Sequence, residues 1–417
     1  MTQAQVGGWR AWSVWAAGTL AFIAAMFSRT SFGVAAIPAA EQFSAPVGAM
    51  SMFVIVQAGV YAAMQIPAGA VLDRLGSRNV LAIGLGVMTA GQVVLAFATS
   101  FPLGLVARVF IGGGDALIFS SAIRLILLWF PPRKIPVLTQ VTAAAGQAGQ
   151  WLSAVPLVMI LSNWGWTTAF LTVAASCFVG LLIAVLVVRD APPGLVVTSR
   201  GSGGLFAGVG EVLAMPAAQL AFFIHMLAAS APIAFTFLWG FPYLTQAQGL
   251  TDAQAGSLFT VFVIASMIVG PLTGMLTRRF AARRTFLALG IVGLSAVVWT
   301  SALVWPGYAP HWLLVLLLIT IGADAPASNI AFDINRSHVP AHRIGTATGV
   351  TLVGGFSAGL VVVAAIGVLL SILGGPNPSA DDFRVAMSAQ LVVWVYAGIM
   401  VIRKRRQLLR SLPSADE

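Results

Sequence analysis

Charged residues are what this sequence has least of. Asp, Glu, Lys and Arg make up 8% of its 417 residues, and only twelve residues are acidic. A water-soluble domain carries roughly 25% charged residues, so a fold with a large water-exposed surface is excluded. Cysteine is nearly absent too. Cys177 stands alone, which excludes a disulfide framework and a cysteine-based metal centre within one chain. Four histidines are present, with no zinc-type pair among them, and no phosphate-binding loop occurs. Gly355-Phe-Ser357-Ala-Gly359 matches the hydrolase Gly-x-Ser-x-Gly string, but that chemistry needs a strand-to-helix turn and a histidine partner. Here the string lies in an apolar run, where small residues serve close helix packing. The expectation is therefore not an enzyme, with no cofactor and no metal.

What is present in quantity is apolar sequence: 59% of the chain is hydrophobic, and it comes in long blocks. A bilayer core of about 30 Å needs roughly 20 apolar residues per helix. Twelve such blocks occur, near 12–37, 48–68, 79–98, 103–129, 136–162, 166–188, 217–244, 253–276, 285–304, 312–334, 344–373 and 385–402. The first is too long for a cleavable signal and runs into Arg29 rather than a small-residue cleavage site, so it reads as a membrane helix. The net charge of +10 is not spread evenly. Arg74/Arg78, Arg133/Lys134, Arg278/Arg279/Arg283/Arg284 and Arg403/Lys404/Arg405/Arg406 fall in alternate connections or the tail. The other connections carry mainly acid, such as Glu41, Asp252 and Asp381/Asp382, with Arg384 the basic exception. Cytoplasmic loops are enriched in Lys and Arg. Both termini are thus expected in the cytoplasm, the partner is a lipid bilayer rather than nucleic acid, and the place is a bacterial plasma (inner) membrane. Asn335-Arg-Ser337 matches a glycosylation sequon but faces the cytoplasm in this topology.

The longest polar connection, about 189–215, divides the chain into an expected N-terminal six-helix bundle (1–190), a cytoplasmic linker (191–215) and a C-terminal six-helix bundle (216–417). The halves repeat one another. Asp115 and Asp324, Pro131 and Pro340, and Gly146 and Gly355 are each 209 residues apart, while Gly69, Arg74 and Arg78 match Gly274, Arg279 and Arg283 at an offset of 205. The expected fold is an all-α membrane protein of twelve transmembrane helices in two pseudo-symmetric bundles. Such duplications place a substrate site between the repeats near the membrane midplane.

The connection after the second block reads Gly69-Ala-Val-Leu-Asp73-Arg74-Leu-Gly76-Ser-Arg78. Its glycines permit a tight turn, Asp73 can cap a helix start or pair with a cation, and the arginines stay in water. This resembles the signature loop of the major facilitator superfamily, and the resemblance implies that these five residues latch the two halves rather than bind substrate. The second copy, Gly274-Met-Leu-Thr277-Arg278-Arg279, lacks the acid. Trp129-Phe-Pro-Pro-Arg133, Trp164-Gly-Trp166 and Trp239-Gly-Phe-Pro-Tyr243 are further pieces of the same likeness.

Ionisable groups inside hydrocarbon are costly and mark functional positions. Arg29, late in an outward helix, and Arg108, early in an inward one, should lie at similar depth in the outer half. Two guanidiniums there repel unless an anion lies between them, and arginine binds carboxylate through two parallel hydrogen bonds. An anionic substrate is one reading; the other is that one arginine pairs permanently with Asp115. Asp115 lies two turns after Arg108 on the same face, and a carboxylate whose partner changes can exchange a proton; a static ion pair is the alternative. Asp324 is a second candidate for proton coupling, or a structural hydrogen bond to a neighbouring helix. Gln57, Gln147, His225 and Asn329 are candidate substrate ligands. Arg124 and Asp333, repeat counterparts at the inner helix ends, together with Arg336, suggest a charge latch.

Arg29, with Arg108 and Asp115 seven residues apart, resembles the anion–cation symporters of the superfamily, which include sugar-acid carriers. The resemblance implies that the arginines handle the substrate anion and Asp115 takes part in proton coupling. Two departures stand out: Ser28 occupies a position that often holds an acid, and Asp115 is shorter than the usual Glu. The function expected is secondary transport of a small organic anion by alternating access, symported with protons and driven by the proton gradient, in a monomer. The alternative is a proton-driven drug or metabolite efflux antiporter; such proteins usually carry a Gly-Pro motif in helix five and often an acid late in helix one, where this chain has Gly146-Gln-Ala-Gly149 and Arg29. A sensor or scaffold is a third class, for which no signalling domain is present.

Overall fold

The computed structural model describes residues 8–45, 51–193, 208–373 and 378–411. Most of the expected linker, 194–207, and the start of the second apolar block, 48–50, lie outside the described residues. Helices such as Val158–Val187, His311–Ser328 and Ile344–Leu373 are apolar all round rather than along one stripe, the pattern of a helix surrounded by protein or lipid. In lipid the backbone must satisfy its own polar groups, which a helix does within a single segment.

The chain divides into two compact units: Met1–Val212 with Pro340–Gly349, and Leu213–Val339 with Val350–Glu417. In the first unit, α1 (Trp9–Thr30), α2 (Ala36–Gln42) and α3 (Ser51–Phe97) are followed by α4 (Phe101–Asp115), α5 (Ile118–Trp129), α6 (Ile135–Leu152), α7 (Val158–Val187) and the start of α8 (Val209–Ala214). With 47 residues, α3 would span roughly 70 Å at 1.5 Å per residue, over twice a bilayer core. It breaks at Gly76, whose φ of 77° and ψ of 166° suit glycine alone. A five-residue π turn, Ser153–Leu157, separates α6 from α7.

The second unit holds α9 (Pro216–Ala234), α10 (Gly240–Pro242), α11 (Asp252–Arg279), α12 (Arg284–Val304), α13 (His311–Ser328), α14 (Ile330–His338), most of α15 (Ile344–Leu373), α16 (Ala380–Met387) and α17 (Ala389–Ser411). Two π turns, Phe235–Trp239 and Tyr243–Ala247, flank α10. Thr251 and Gln254 form a reciprocal capping box at the start of α11, as Ser379 and Asp382 do for α16, satisfying first-turn N–H groups.

Ten helical stretches among the described residues are long and apolar enough to cross a membrane, against twelve expected blocks. The difference has two sources. The second and third blocks share one stretch, Met52–Phe97, broken at Gly76. The fifth block is cut by the π turn, and its end joins the sixth in Val158–Val187, which breaks at Gly165 (φ 77°). Close helix approach depends on glycine. A Cβ on Gly112 would stand 2.6 Å from the Gln57 carbonyl oxygen, and one on Gly114 2.5 Å from that of Gly84. These contacts seat α4 on α3 and set the depth of the charged residues α4 carries.

Candidate functional site

The charged groups of the first unit meet where helices end. Arg29 lies in the last turn of α1, and Asp115 is the last residue of α4. Arg29 Nε donates to Asp115 Oδ2 at 2.6 Å, and Nη2 donates to Oδ1 at 3.0 Å. This is the fork-to-fork geometry of a strong charge-assisted pair. The Arg29 guanidinium carbon also lies 4.4 Å from the centre of the Tyr61 ring, within cation–π range.

Arg108 has no such partner. It is 1% exposed, and its Nε and Nη1 have no hydrogen-bond partner among the described residues. Its guanidinium lies 4.7 Å from the Phe32 ring, and Phe32 stacks on Phe53 with centroids 4.5 Å apart. Gln57 is likewise buried with both side-chain amide atoms unpartnered. Of the two arginines read from the sequence, Arg29 takes Asp115, while Arg108 lies over the Phe32 ring. Asp115 shares a helix with Arg108, yet its hydrogen bonds go to α1. Ser28, buried beside Arg29, accepts from Gln92 Nε2 at 2.7 Å. Gln147 is half-buried on α6 between Gly146, against the Phe22 ring, and Gly149, against the Ile23 carbonyl.

In the second unit, Asp324 is fully buried, accepts from Ser295 Oγ at 2.8 Å through Oδ1, and leaves Oδ2 without a partner. No basic side chain pairs with it among the described residues. His225 is buried with Nδ1 unpartnered, its ring 5.7 Å from that of Phe332. Asn329 caps the C-terminus of α13 at the break before α14.

The connection residues form a separate cluster. Asp73 Oδ1 accepts from the Gly345 N–H at 2.8 Å; Oδ2 accepts from the Thr346 N–H at 2.8 Å and from Thr346 Oγ1 at 2.7 Å. These N–H groups open α15, so Asp73 caps a helix start 272 residues away in sequence, where a negative charge is stabilising. Arg124 Nη1 lies 3.4 Å from Asp73 Oδ1, so Asp73 serves as both cap and ion-pair partner. Gly69 borders the same point: a Cβ there would clash with the Gly345 carbonyl oxygen. Beyond Gly76, the Arg78 N–H donates to Asp190 Oδ1 at 2.9 Å and its Nη2 to the Val185 carbonyl at 2.7 Å. Arg74 is half-buried nearby in the chain. In the second unit, Asp333 pairs with Arg336 at 3.6 Å, and its carbonyl accepts from Arg284 Nη1 at 3.0 Å.

Sequence reading did not single out Tyr61, Phe32, Ser295 or Asp190. A signal existed for Tyr61: Gln57, Tyr61 and Gln65 are spaced by four, one polar face of an otherwise apolar helix. Ser295 depends on how α12 packs on the next helix, and Asp190 on a contact 112 residues away in sequence.

The chain matches the family model of the Major Facilitator Superfamily over residues 18–363, and again over 220–407. It is 26% identical over 147 residues to the uncharacterized transporter YybO of Bacillus subtilis (strain 168), and 25% identical over 173 residues to the probable sulfoacetate transporter SauU of Cupriavidus necator. These matches cover 35% and 42% of this chain and only 34% and 40% of those proteins. A D-galactonate transporter of Escherichia coli O6:H1 is 24% identical over 82% of this chain and 85% of its own. The fold resembles a solved bacterial homologue of the iron transporter ferroportin in an outward-facing state, with a TM-score of 0.75 at 14% identity, covering 94% of this chain and 99% of that one. With the family matched across most of its length, the chain belongs to the Major Facilitator Superfamily of membrane transporters.

Proposed function

We propose that this chain is a secondary active carrier that imports small organic anions, carboxylates or sulfonates, together with protons by alternating access. The observation that carries the reading is Arg108, a buried guanidinium with two unpaired nitrogens beside an aromatic ring. A buried charge without a counter-ion costs several kcal/mol. A visiting anion offsets that cost through two parallel hydrogen bonds, and a buried amide such as Gln57 suits the polar remainder of such a substrate. The names of two relatives, the sulfoacetate and D-galactonate transporters, support the same class of ligand.

Asp115 is the proposed proton-coupling group. While Arg29 grips both its oxygens those oxygens are occupied by a cation, and a helix movement that withdraws Arg29 frees them to take a proton. Asp324, buried without a cation, is the second coupling candidate. The proton gradient is the energy source, the protein works as a monomer in the bacterial inner membrane, and both termini face the cytoplasm.

Uptake into proteoliposomes tests this. Radiolabelled galactonate or sulfoacetate should accumulate when the outside is acidified and stop when a protonophore is added. Arg108→Gln should lower uptake roughly a hundredfold, the loss of two charge-assisted hydrogen bonds. Uptake that ignores both the pH gradient and Arg108 overturns the proposal.

A further inference from the structure

Three helix ends meet at the basic end of the first unit. Trp9 and Arg10 open α1, Trp129 closes α5, and Leu186 and Val187 close α7 just before Arg189. Between them is a groove of about 560 Å³. Its rim carries Arg10 and Arg189, and its apolar wall includes Val14, Leu186 and Val187. The Trp129 Nε1–H donates to the Arg189 carbonyl at 2.9 Å, which fixes the chain where it leaves α7. Arg189 Nη1 donates to the Leu186 and Val188 carbonyls, which holds that guanidinium over the end of α7.

The charge in the groove is of one sign. Among the described residues, no acidic side chain lines it. The neighbouring acid, Asp190, accepts the backbone N–H of Arg78 instead. Arg10 and Arg189 have no ion pair among the described residues. Trp9 is 76% exposed, as is Leu186 to 71%. Tryptophan at a helix end marks the headgroup level of a bilayer, so the cations stand at phosphate depth and the apolar wall at the depth of the first acyl carbons.

We infer that this groove binds an anionic glycerophospholipid of the leaflet at the basic end of the bundle. The phosphate sits between Arg10 and Arg189, and the start of one acyl chain lies along Val14, Leu186 and Val187. A soluble phosphate or carboxylate would engage the arginines but leave that wall in water. A basic pocket between helices on the cytoplasmic side is suited to anionic headgroups, and the apolar wall selects a lipid among the anions.

The test uses the full chain purified in detergent. Phosphatidylglycerol should raise the melting temperature of the wild type more than phosphatidylcholine does, and one anionic lipid should remain bound in native mass spectra. In the double variant Arg10→Gln/Arg189→Gln, lipid binding should weaken roughly thirtyfold, the effect of two arginines at a membrane surface. Its melting temperature in phosphatidylcholine alone should match the wild type, showing that the fold is intact. Neutralising Arg403 and Lys404 on α17 should leave the retained lipid in place. The inference is overturned if phosphatidylcholine protects equally, if the double variant keeps its lipid, or if inorganic phosphate alone reproduces the protection.

Discussion

Asp115 and Asp324 occupy the same repeat position, yet their surroundings predict opposite responses to one substitution. Asp115 neutralises Arg29 through two hydrogen bonds. Asp115→Asn leaves a guanidinium without its counter-ion and should cost about 2 kcal/mol, less than the ~3–5 kcal/mol of a fully buried pair, because the Arg29 side chain keeps 22% of its exposure. Asp324 has a hydroxyl partner and an orphan oxygen. Asp324→Asn keeps the Ser295 bond and replaces a buried carboxyl that has no basic partner among the described residues, so the variant should melt at or above the wild-type temperature. Thermal melts of both variants in one detergent check the contrast. Arg108→Gln belongs with Asp324→Asn: removing a buried guanidinium with two nitrogens that lack hydrogen-bond partners should leave the melting temperature unchanged or raised, while uptake falls. The candidates at this scale were legible because charge is rare here and each buried ionisable residue stands out. Which arginine takes Asp115 was not legible, because spacing along one helix says nothing about what a second helix delivers.

At the scale of the element, the connection after the second block holds its neighbours through backbone groups. Asp73 accepts two first-turn N–H groups of α15. Asp73→Asn keeps the size but loses the charge at the helix start and should cost about 1 kcal/mol; Asp73→Ala removes the cap outright and should cost about 2 kcal/mol. Faster hydrogen exchange at Gly345 and Thr346 is the measurement, and unchanged exchange would rule the cap out. Gly76→Ala forces a Cβ into a left-handed conformation and against Asp190. It should cost about 1–2 kcal/mol, read as a lowered melting temperature, whereas Gly86→Ala, with open space around it, should be neutral. That Asp73 has two plausible uses, cap or ion pair, was readable from its residue type. That it serves both followed only from the placement of α15 and Arg124 around it.

At the scale of the whole molecule, belonging to this superfamily rests on the match across most of the chain, which itself divides into two compact units. One of those units takes residues 340–349 from the far side of the sequence, a grouping no reading of apolar blocks anticipates. The transport prediction belongs here. Uptake should depend on an inward proton gradient and collapse with a protonophore, and outward extrusion of drugs under the same gradient would instead favour an efflux antiporter.

By itself, the sequence determined that this protein lives in a membrane and is helical. Hydropathy acts locally, and a backbone in lipid must bond to itself within each segment. It also determined the repeat, because equal offsets survive as residue identities. The tertiary structure decided that Arg29 rather than Arg108 neutralises Asp115, that Asp324 has only a hydroxyl, and that Asp73 caps α15. Each of those depends on distances between separate helices, set in part by where glycines let backbones approach. A count of residues along one strand of text carries no such distances.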